Sequence, residues 1–534
     1  MLRSGFTLAA ASALGEVAFA GEKVVKSIPG AYDYIIVGAG SAGCVVIDRL
    51  SAAGFSVLAI EAGTGDIEQP KIDQAALWLQ NIGSDTDWQI PTPPQPELNG
   101  RPLVVSAGRA LGGGGSINIM GWIRPDVRDL AILARRLGPK WSTENMYAAI
   151  RRAERFVTGN STGRSLDGKI TVGRYSPANP LSGALIQAAG EVSMPAVDHN
   201  ASEHINGMGF ADVNVEPDGR RSGPAETYLA DAITRSNLEV ITDSLVTRLL
   251  IQSNVCVGVE CVVNGNLERF YASREVVLSA GAMSSPKILM LSGVGRGRDL
   301  QRLGIEVVHH LPAVGANFQD HLLVATTYRG GPAYSDQENV GSVGTHGWAS
   351  TDASHSPPNM QISVLLKPFP PGSIPDERGF TIISSIAKPR SRGSLTLQSR
   401  DPRVPVLADA AYLTDSRDVD VMLESLELSL GIGATSALRP FIDSPVFNAD
   451  ELNSRQARLQ FIRNNAQSNF HPVCSCAAGT DPARSVVNPA LKVWGIRNLR
   501  VVDGSVLPEI TGVNPHVTII GVAEVASQMM LAGI

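Results

Sequence analysis

Three residues able to do chemistry crowd one octapeptide. In NFHPVCSC, residues 469–476, His471 stands three positions before Cys474 and five before Cys476. Imidazole and thiolate both bind metals, and a pair of thiols can form a redox couple. An imidazole, with an unperturbed pKa of about 6.5, is also the side chain best suited to exchange protons near neutral pH. The metal reading is short of ligands, because Cys44, Cys256 and Cys261 fall in strand or helix patterns elsewhere. A disulfide between Cys474 and Cys476 would close a strained ring, so buried thiols, and no metal, are expected there. Proton transfer by His471 is the third reading.

Such side chains need a frame, and the clearest frame lies near the other end of the chain. From residue 32, YDYIIVGAGSAGCVVIDRLSAAGFSVLAIEAG reads as an apolar strand, a glycine turn, an amphipathic helix and a second apolar strand ending in an acid. The turn is G-x-G-x-x-G, Gly38 to Gly43, with Ser41 and Ala42 between the second and third glycines. The first glycine permits the tight turn, the second lets backbone approach a pyrophosphate, and the third lets helix and strand pack; the helix N-terminus adds unsatisfied N–H groups. Glu61 follows Gly40 by 21 residues, where a carboxylate can accept hydrogen bonds from ribose hydroxyls. An acid there disfavours a 2′-phosphate, so the expected dinucleotide is FAD or NAD. A second glycine-rich stretch, GRALGGGGSINIMGWIRP at 108–125, is too glycine-dense for a regular element and predicts close approach of a phosphate or a flat ring to its backbone.

At 534 residues the chain exceeds what one core usually supports, and two domains interleaved in sequence are expected. Apolar residues make up 43% and charged residues 18%, a globular rather than disordered composition. The 45 basic and 51 acidic side chains carry no basic tract, which argues against a nucleic-acid partner, and no apolar run is long enough to span a bilayer. The first 21 residues, with Arg3 and Ala18-Phe19-Ala20 before Gly21, resemble a signal peptide interrupted by Glu16; residues 1–30 are expected to be a leader. Its cleavage would mean a periplasmic or secreted protein, its absence of function a cytoplasmic one. Further strand and turn signals at 238–265 and 275–293, a helix from about Asp415 to Leu430, and a C-terminal return to strand NLRVVD followed by an apolar helix complete the pattern. The expected fold is α/β. A Rossmann-like nucleotide domain is assembled from 31–150, 200–320 and 466–534, and an α+β substrate domain from 151–199 and 321–465.

Several long segments, in order, resemble the glucose-methanol-choline family of FAD-dependent oxidoreductases. Gly108 to Ala131 fits one family signature and Gly281 to Gly295 another; DTDWQIPTPPQPELNGR, RRSGPAETYL, VGANFQDH, SRGSLTLQSRDPRVPVLADAAYLTD and NLRVVDGSVLPEITGVNPHVTIIGVAE are further matches. The resemblance implies FAD, and oxidation of an alcohol by hydride transfer to flavin N5, with oxygen or another acceptor reoxidising the cofactor. It implies ADP-side contacts from Gly38, Gly40, Ser41, Ala42, Gly43, Glu61 and Ala62, an adenine contact from Val246, a ring and pyrophosphate loop of Arg109, Gly113, Gly114, Asn118 and Met120, and C-terminal contacts from Asp503, Gly504 and His516.

For the opening octapeptide the resemblance is specific. Where the family carries H-P-x-G-T-C and, about 45 residues on, N-P followed by His or Asn, this chain has His471-Pro472-Val473-Cys474-Ser475-Cys476 and Asn514-Pro515-His516. It therefore resembles members with a His-His pair, His471 as general base and His516 as orienting partner or alternate base, in keeping with the ease of hydride loss from an alcohol whose proton is being removed. Cys474 replaces the family glycine and Gly115 the usual serine. Phe470, Trp122, Trp348 and Phe369 are candidates for an apolar pocket suited to a primary aryl or furanic alcohol. Choline or another aliphatic alcohol is an alternative. So are a hydroxynitrile lyase and a light-driven fatty acid decarboxylase, which the same scaffold also supports.

Overall fold

The structure is a computed structural model, and it describes residues 31–335, 342–351, 356–370, 373–374 and 378–534. The leader lies outside the described residues. The βαβ unit forms where the sequence places it, with β1 at Tyr32–Val37, α1 at Ser41–Ala52 and β2 at Val57–Ile60. Both strands are apolar runs, buried at nearly every position, as a parallel sheet covered on both faces requires. The sheet extends on the far side of β2 to Leu238–Ile241 and beside β1 to the long strand Asn266–Leu278. That strand serves two partners. Its first half pairs antiparallel with Val255–Val263, and its last residues run parallel to β1 and to Leu499–Val501. The C-terminal strand thus enters a sheet begun more than 400 residues earlier, and the apolar helix His516–Leu531 closes it by packing on α1 and on Thr143–Ala153.

A second seven-stranded sheet is antiparallel throughout its central strands, in the order Ile442–Pro445, Leu322–Gly330, Gly379–Ile386, Met360–Leu365, Val343–Ala349, Gly207–Phe210, with Gln467–Ser468 as a seventh strand also paired to Leu322–Gly330. Cross-strand register puts Leu323, Val343, His346, Ser363, Leu365 and Ile383 on one face. Ile362, Val364, Phe380 and Ile382, on the other face, pack in a cluster with Leu181, Leu185 and Ile432 from the helices Pro180–Glu191 and Ser416–Gly433. The latter helix is capped at its predicted start, where the Asp415 carboxylate accepts from the Arg417 amide.

Strand pairing draws boundaries that hydropathy does not. Gly207–Phe210 and Gln467–Ser468 join the second sheet from outside 151–199 and 321–465, because each pairs with a strand that lies within the latter segment. Conversely, Gly393–Thr396 and Leu407–Asp409 form a small sheet with Ala316–Phe318, and the loop between them reaches the nucleotide side, where the Lys287 ammonium donates to the Pro402 carbonyl at 2.6 Å. Among the described residues no helix is long and apolar enough to cross a membrane.

Candidate active site

One cavity of about 400 Å³ is lined from both sheets, and its two ends are built differently. At the nucleotide end the walls are mostly backbone. Gly38 has φ +93°, and a Cβ there would lie 2.6 Å from the Ser279 carbonyl oxygen, so the first glycine is required twice over. A Cβ on Gly43 would lie 2.1 Å from the Gly38 carbonyl oxygen; this glycine seats α1 on the turn and does not itself line the cavity. Gly40, Ser41 and Ala42 do line it. The first turn of α1 holds no acidic residue and Gly40 offers no side-chain cap, which leaves its N–H groups and the positive end of the helix for an anion.

The glycine run crosses directly over this turn. The Gly112 amide donates to the Ala39 carbonyl at 2.7 Å, and a Cβ on Gly113 would lie 2.9 Å from the Gly40 Cα. Gly113, Gly114 and Asn118 line the cavity, as do Ala62, Val246 and Gly504. Arg109 and Met120 do not. The Arg109 guanidinium stacks 5.1 Å over the ring of Trp88, which is itself a lining residue, while Met120, at φ +59°, is fully buried behind the walls, in one cluster with the lining residues Trp78, Leu323 and Leu365.

Two carboxylates hold the loops at this end. Glu61 accepts from the Ala39 amide at 3.0 Å and the Gly63 amide at 2.8 Å; burial pushes its carboxyl up to about 7 against the pull of those hydrogen bonds. Asp503 accepts from the Gly281 amide, the Ser285 hydroxyl and the Ser505 amide, and burial raises it as well. Free helix-terminal amides, a glycine cradle and a carboxylate directly after the second strand are the donors and acceptor a dinucleotide needs, and FAD fits them.

At the other end the walls are side chains. Trp78, Ile82, Leu323, Val343, Leu365, Phe369, Ile383 and Phe470 give an apolar chamber, and His346, His471, Asn514 and His516 line the same cavity. His471 follows Phe470, whose φ of +60° is the backbone bend that aims the segment. The His471 amide donates to Asp320 at 2.7 Å, and its Nδ1 lies 2.9 Å from Nδ1 of His321, which leaves Nε2 as the unengaged ring nitrogen. Burial first, then the neighbouring His321 and His346, holds its pKa well below the usual histidine value, so the ring is neutral and a nitrogen lone pair is free of a proton. His516 begins the C-terminal helix, and its Nδ1 is 3.3 Å from the Ser41 hydroxyl. The Nε2 atoms of His516 and His346 are buried without a partner among the described residues.

Both departures from the family pattern have local reasons. Cys474 has φ +73°, the left-handed region glycine favours, so the backbone keeps the bend despite the side chain. A Cβ on Gly115 would lie 2.8 Å from the Ser41 hydroxyl oxygen and 3.2 Å from His516 Cε1, a space already filled. Phe470 and Phe369 line the chamber, but Trp122 and Trp348 are corrections: both are fully buried, with indole N–H groups on Glu154 and the Gly512 carbonyl. Cys474 and Cys476 are free and buried, which pushes both thiols up.

Sequence reasoning missed Asp320, His321, His346 and Arg221. Asp320, pushed up to about 6 by burial, accepts from Tyr412 and Ser468 as well as from His471. Arg221, fully buried, donates to the carbonyls of Gly115 and Asn118 and to the Asn118 side chain, pinning the glycine loop from behind. The QDH of VGANFQDH was a signal for the first two; His346 sits in a strand with nothing around it to mark it.

Family models described as GMC oxidoreductase match residues 32–323 and 389–523. An alcohol dehydrogenase [acceptor] of Pseudomonas putida is 32% identical over 94% of this chain and 96% of its own length. Mitochondrial choline dehydrogenase of Homo sapiens is 32% identical over 93% of this chain and 89% of its own. Among solved structures, pyridoxine 4-oxidase from Mesorbium loti superposes with a TM-score of 0.87 at 27% identity, covering 94% of this chain and 99% of that one. A fungal aryl-alcohol oxidase shares the fold, with a TM-score of 0.80 at 21% identity, over 95% and 100% of the two chains.

Proposed function

From the premise that this chain belongs to the GMC oxidoreductase family, FAD-dependent enzymes acting on CH–OH donors, we propose that it oxidises an uncharged primary alcohol with an apolar, aryl-type body, and that His471 is the general base. FAD, when bound, supplies the two-electron hydride acceptor. Gly40, Ser41, Ala42, Gly113 and Gly114 would hold its pyrophosphate, and Glu61 its ribose. In the chamber, Nε2 of His471 takes the hydroxyl proton as the carbinol C–H bond breaks and the C=O bond forms. His516 Nε2 and Asn514 orient the alcohol oxygen, and the apolar walls exclude water from the developing alkoxide.

The observation that carries the substrate class is the absence of a carboxylate among the described residues of the chamber. Among the described lining residues the carboxylates are Glu61 and Asp503, both at the nucleotide end and both bonded to loop amides. A quaternary ammonium such as choline needs a carboxylate or an aromatic cage around its charge, whereas the chamber presents mainly aliphatic walls with Trp78, Phe369 and Phe470. Oxygen or another acceptor completes the cycle.

The test is an anaerobic screen of alcohols against the purified flavoprotein, followed by loss of the oxidised flavin absorbance. Benzyl-type alcohols are expected to bleach it and choline to do so far more slowly. Bleaching by choline alone overturns the substrate class, and bleaching by no alcohol, with turnover only of a cyanohydrin or only under blue light, overturns the reaction.

A further inference from the structure

We propose that His321 is a positioning residue that fixes the tautomer of His471, holding its proton on Nδ1 and its lone pair on Nε2 toward the substrate. This rests on the reading of His471 as the base. The two Nδ1 atoms are 2.9 Å apart with the rings edge to face at 88°, both rings are buried, and burial pushes His321 down to about 3, so both are neutral. Two neutral imidazoles meeting Nδ1 to Nδ1 have one proton between them: one ring donates and the other accepts.

The role read for His471 decides which. A base that takes the alcohol proton on Nε2 must carry its own proton on Nδ1, so the shared proton belongs to His471 and the Nδ1 of His321 is the acceptor. The His321 proton then sits on its buried Nε2, which has no hydrogen-bond partner among the described residues. His471 must then donate from Nδ1. Its Nε2, the nitrogen with no protein partner, is left as the base.

Residues 320 and 321 therefore grip His471 as a pair, Asp320 on its amide at 2.7 Å and His321 on its ring. The grip is rigid on both sides. Asp320 is tied to the Tyr412 and Ser468 hydroxyls, each at 2.5 Å, and the strand Leu322–Gly330 begins at the next residue, paired with Gln467–Ser468 just ahead of the octapeptide. Without the acceptor at position 321, the His471 proton is free to move to Nε2, which then has no lone pair to offer the alcohol.

The experiment compares His321→Asn, whose amide oxygen stands close to where Nδ1 was, with His321→Leu, which fills the space but accepts nothing. Both are assayed as flavin-loaded protein by anaerobic flavin reduction across pH, beside His471→Ala and the double variant His321→Leu/His471→Ala. His321→Leu is expected to lower the reduction rate constant about 10- to 100-fold, as loss of an orienting partner does, with little change in KM. His321→Asn should recover most of that loss, and His321→Leu should add little in the His471→Ala background. Normal reduction by His321→Leu, or equal damage from Leu and Asn, overturns the proposal while leaving a slow His471→Ala to uphold the base. Full activity of His471→Ala removes the base reading and this proposal with it. If His321→Leu does not hold flavin, His321→Asn alone decides: a rate as low as that of His471→Ala overturns the tautomer assignment.

Discussion

The two ends of the cavity solve the same problem, holding a reactive group in place, with different materials. The nucleotide end is made of main chain. Gly38, Gly40, Gly112 and Gly113 bring backbone against backbone within van der Waals contact, and Glu61 and Asp503 spend their oxygens on loop amides. The histidine end is made of side chains contributed by positions 321, 346, 471 and 516, which meet only because two sheets face each other across the cavity. A site of main chain is tolerant of what surrounds it but intolerant of a Cβ where backbone meets backbone, as at Gly38 and Gly113. A site of side chains tolerates local change but depends on every long-range contact that places it.

The sharpest way to break this contrast is to remove the segment both ends share. Deleting 495–534 takes away the strand Leu499–Val501, Asp503 and Gly504, His516, and a helix buried along nearly its whole length. Neither soluble protein nor bound flavin is expected, and a soluble, flavin-loaded truncation would show that the two ends do not depend on a common core.

Next is Gly40→Val. A Cβ there meets nothing closer than the Ser279 carbonyl oxygen at 3.7 Å and the Gly113 Cα at 3.9 Å, so the protein should fold, yet the added branches intrude where a pyrophosphate must pass. Flavin content, read from the visible spectrum, should fall to a small fraction while the circular dichroism spectrum is retained. A full complement of flavin would refute the site. Gly38→Val, by contrast, should fail to fold, since φ of +93° and the Ser279 contact leave no room.

At the histidine end the order of effects reverses, with binding spared and rate lost. His471→Ala should keep flavin and melting temperature while slowing flavin reduction by an alcohol about 10²- to 10⁴-fold, and His516→Ala should lose less, since water can partly replace a group that only orients the substrate. Equal and complete loss of flavin from both would mean that the histidines belong to the cofactor site.

The smallest expected effect is a pH signature. Burial, with a contribution from the nearby His199, holds His346 at about 3, far below the ordinary value of about 6.5. In the unfolded chain it takes up a proton below about 6.5, which the folded ring refuses until about 3. Its contribution to stability is therefore full above the unfolded pKa and is lost as pH falls through that window. His346→Gln removes the titration, so the difference in Tm between wild type and variant should shift against the wild type on going from about pH 7 to about pH 5. A constant difference would mean that His346 is protonated, or solvated, in the folded protein.

What could be read from the sequence follows the same division. The βαβ unit, the glycine turn with Glu61 at its end, the second glycine run and the capped helix from Asp415 are local patterns, in which adjacent residues fix adjacent geometry by steric and hydrogen-bonding rules. His471 and His516 were legible only through resemblance, since nothing in an isolated imidazole separates a base from a core residue. Trp122 and Trp348 passed for pocket walls because burial is not written in a residue's type, and MQISVL at 360–365 reveals no inward face, because Ile362 and Val364 are as apolar as Leu365. Only the cross-strand register with Val343–Ala349 and Gly379–Ile386 put Ser363 and Leu365 on the cavity side, and only the pairing of Leu322–Gly330 with the distant Gln467–Ser468 brought His321 to His471. Local sequence determines what the backbone can do within a turn or a helix. Which side chains share a cavity, and which nitrogen of an imidazole is left free, depends on contacts between segments whose order in the chain carries no information about their separation in space.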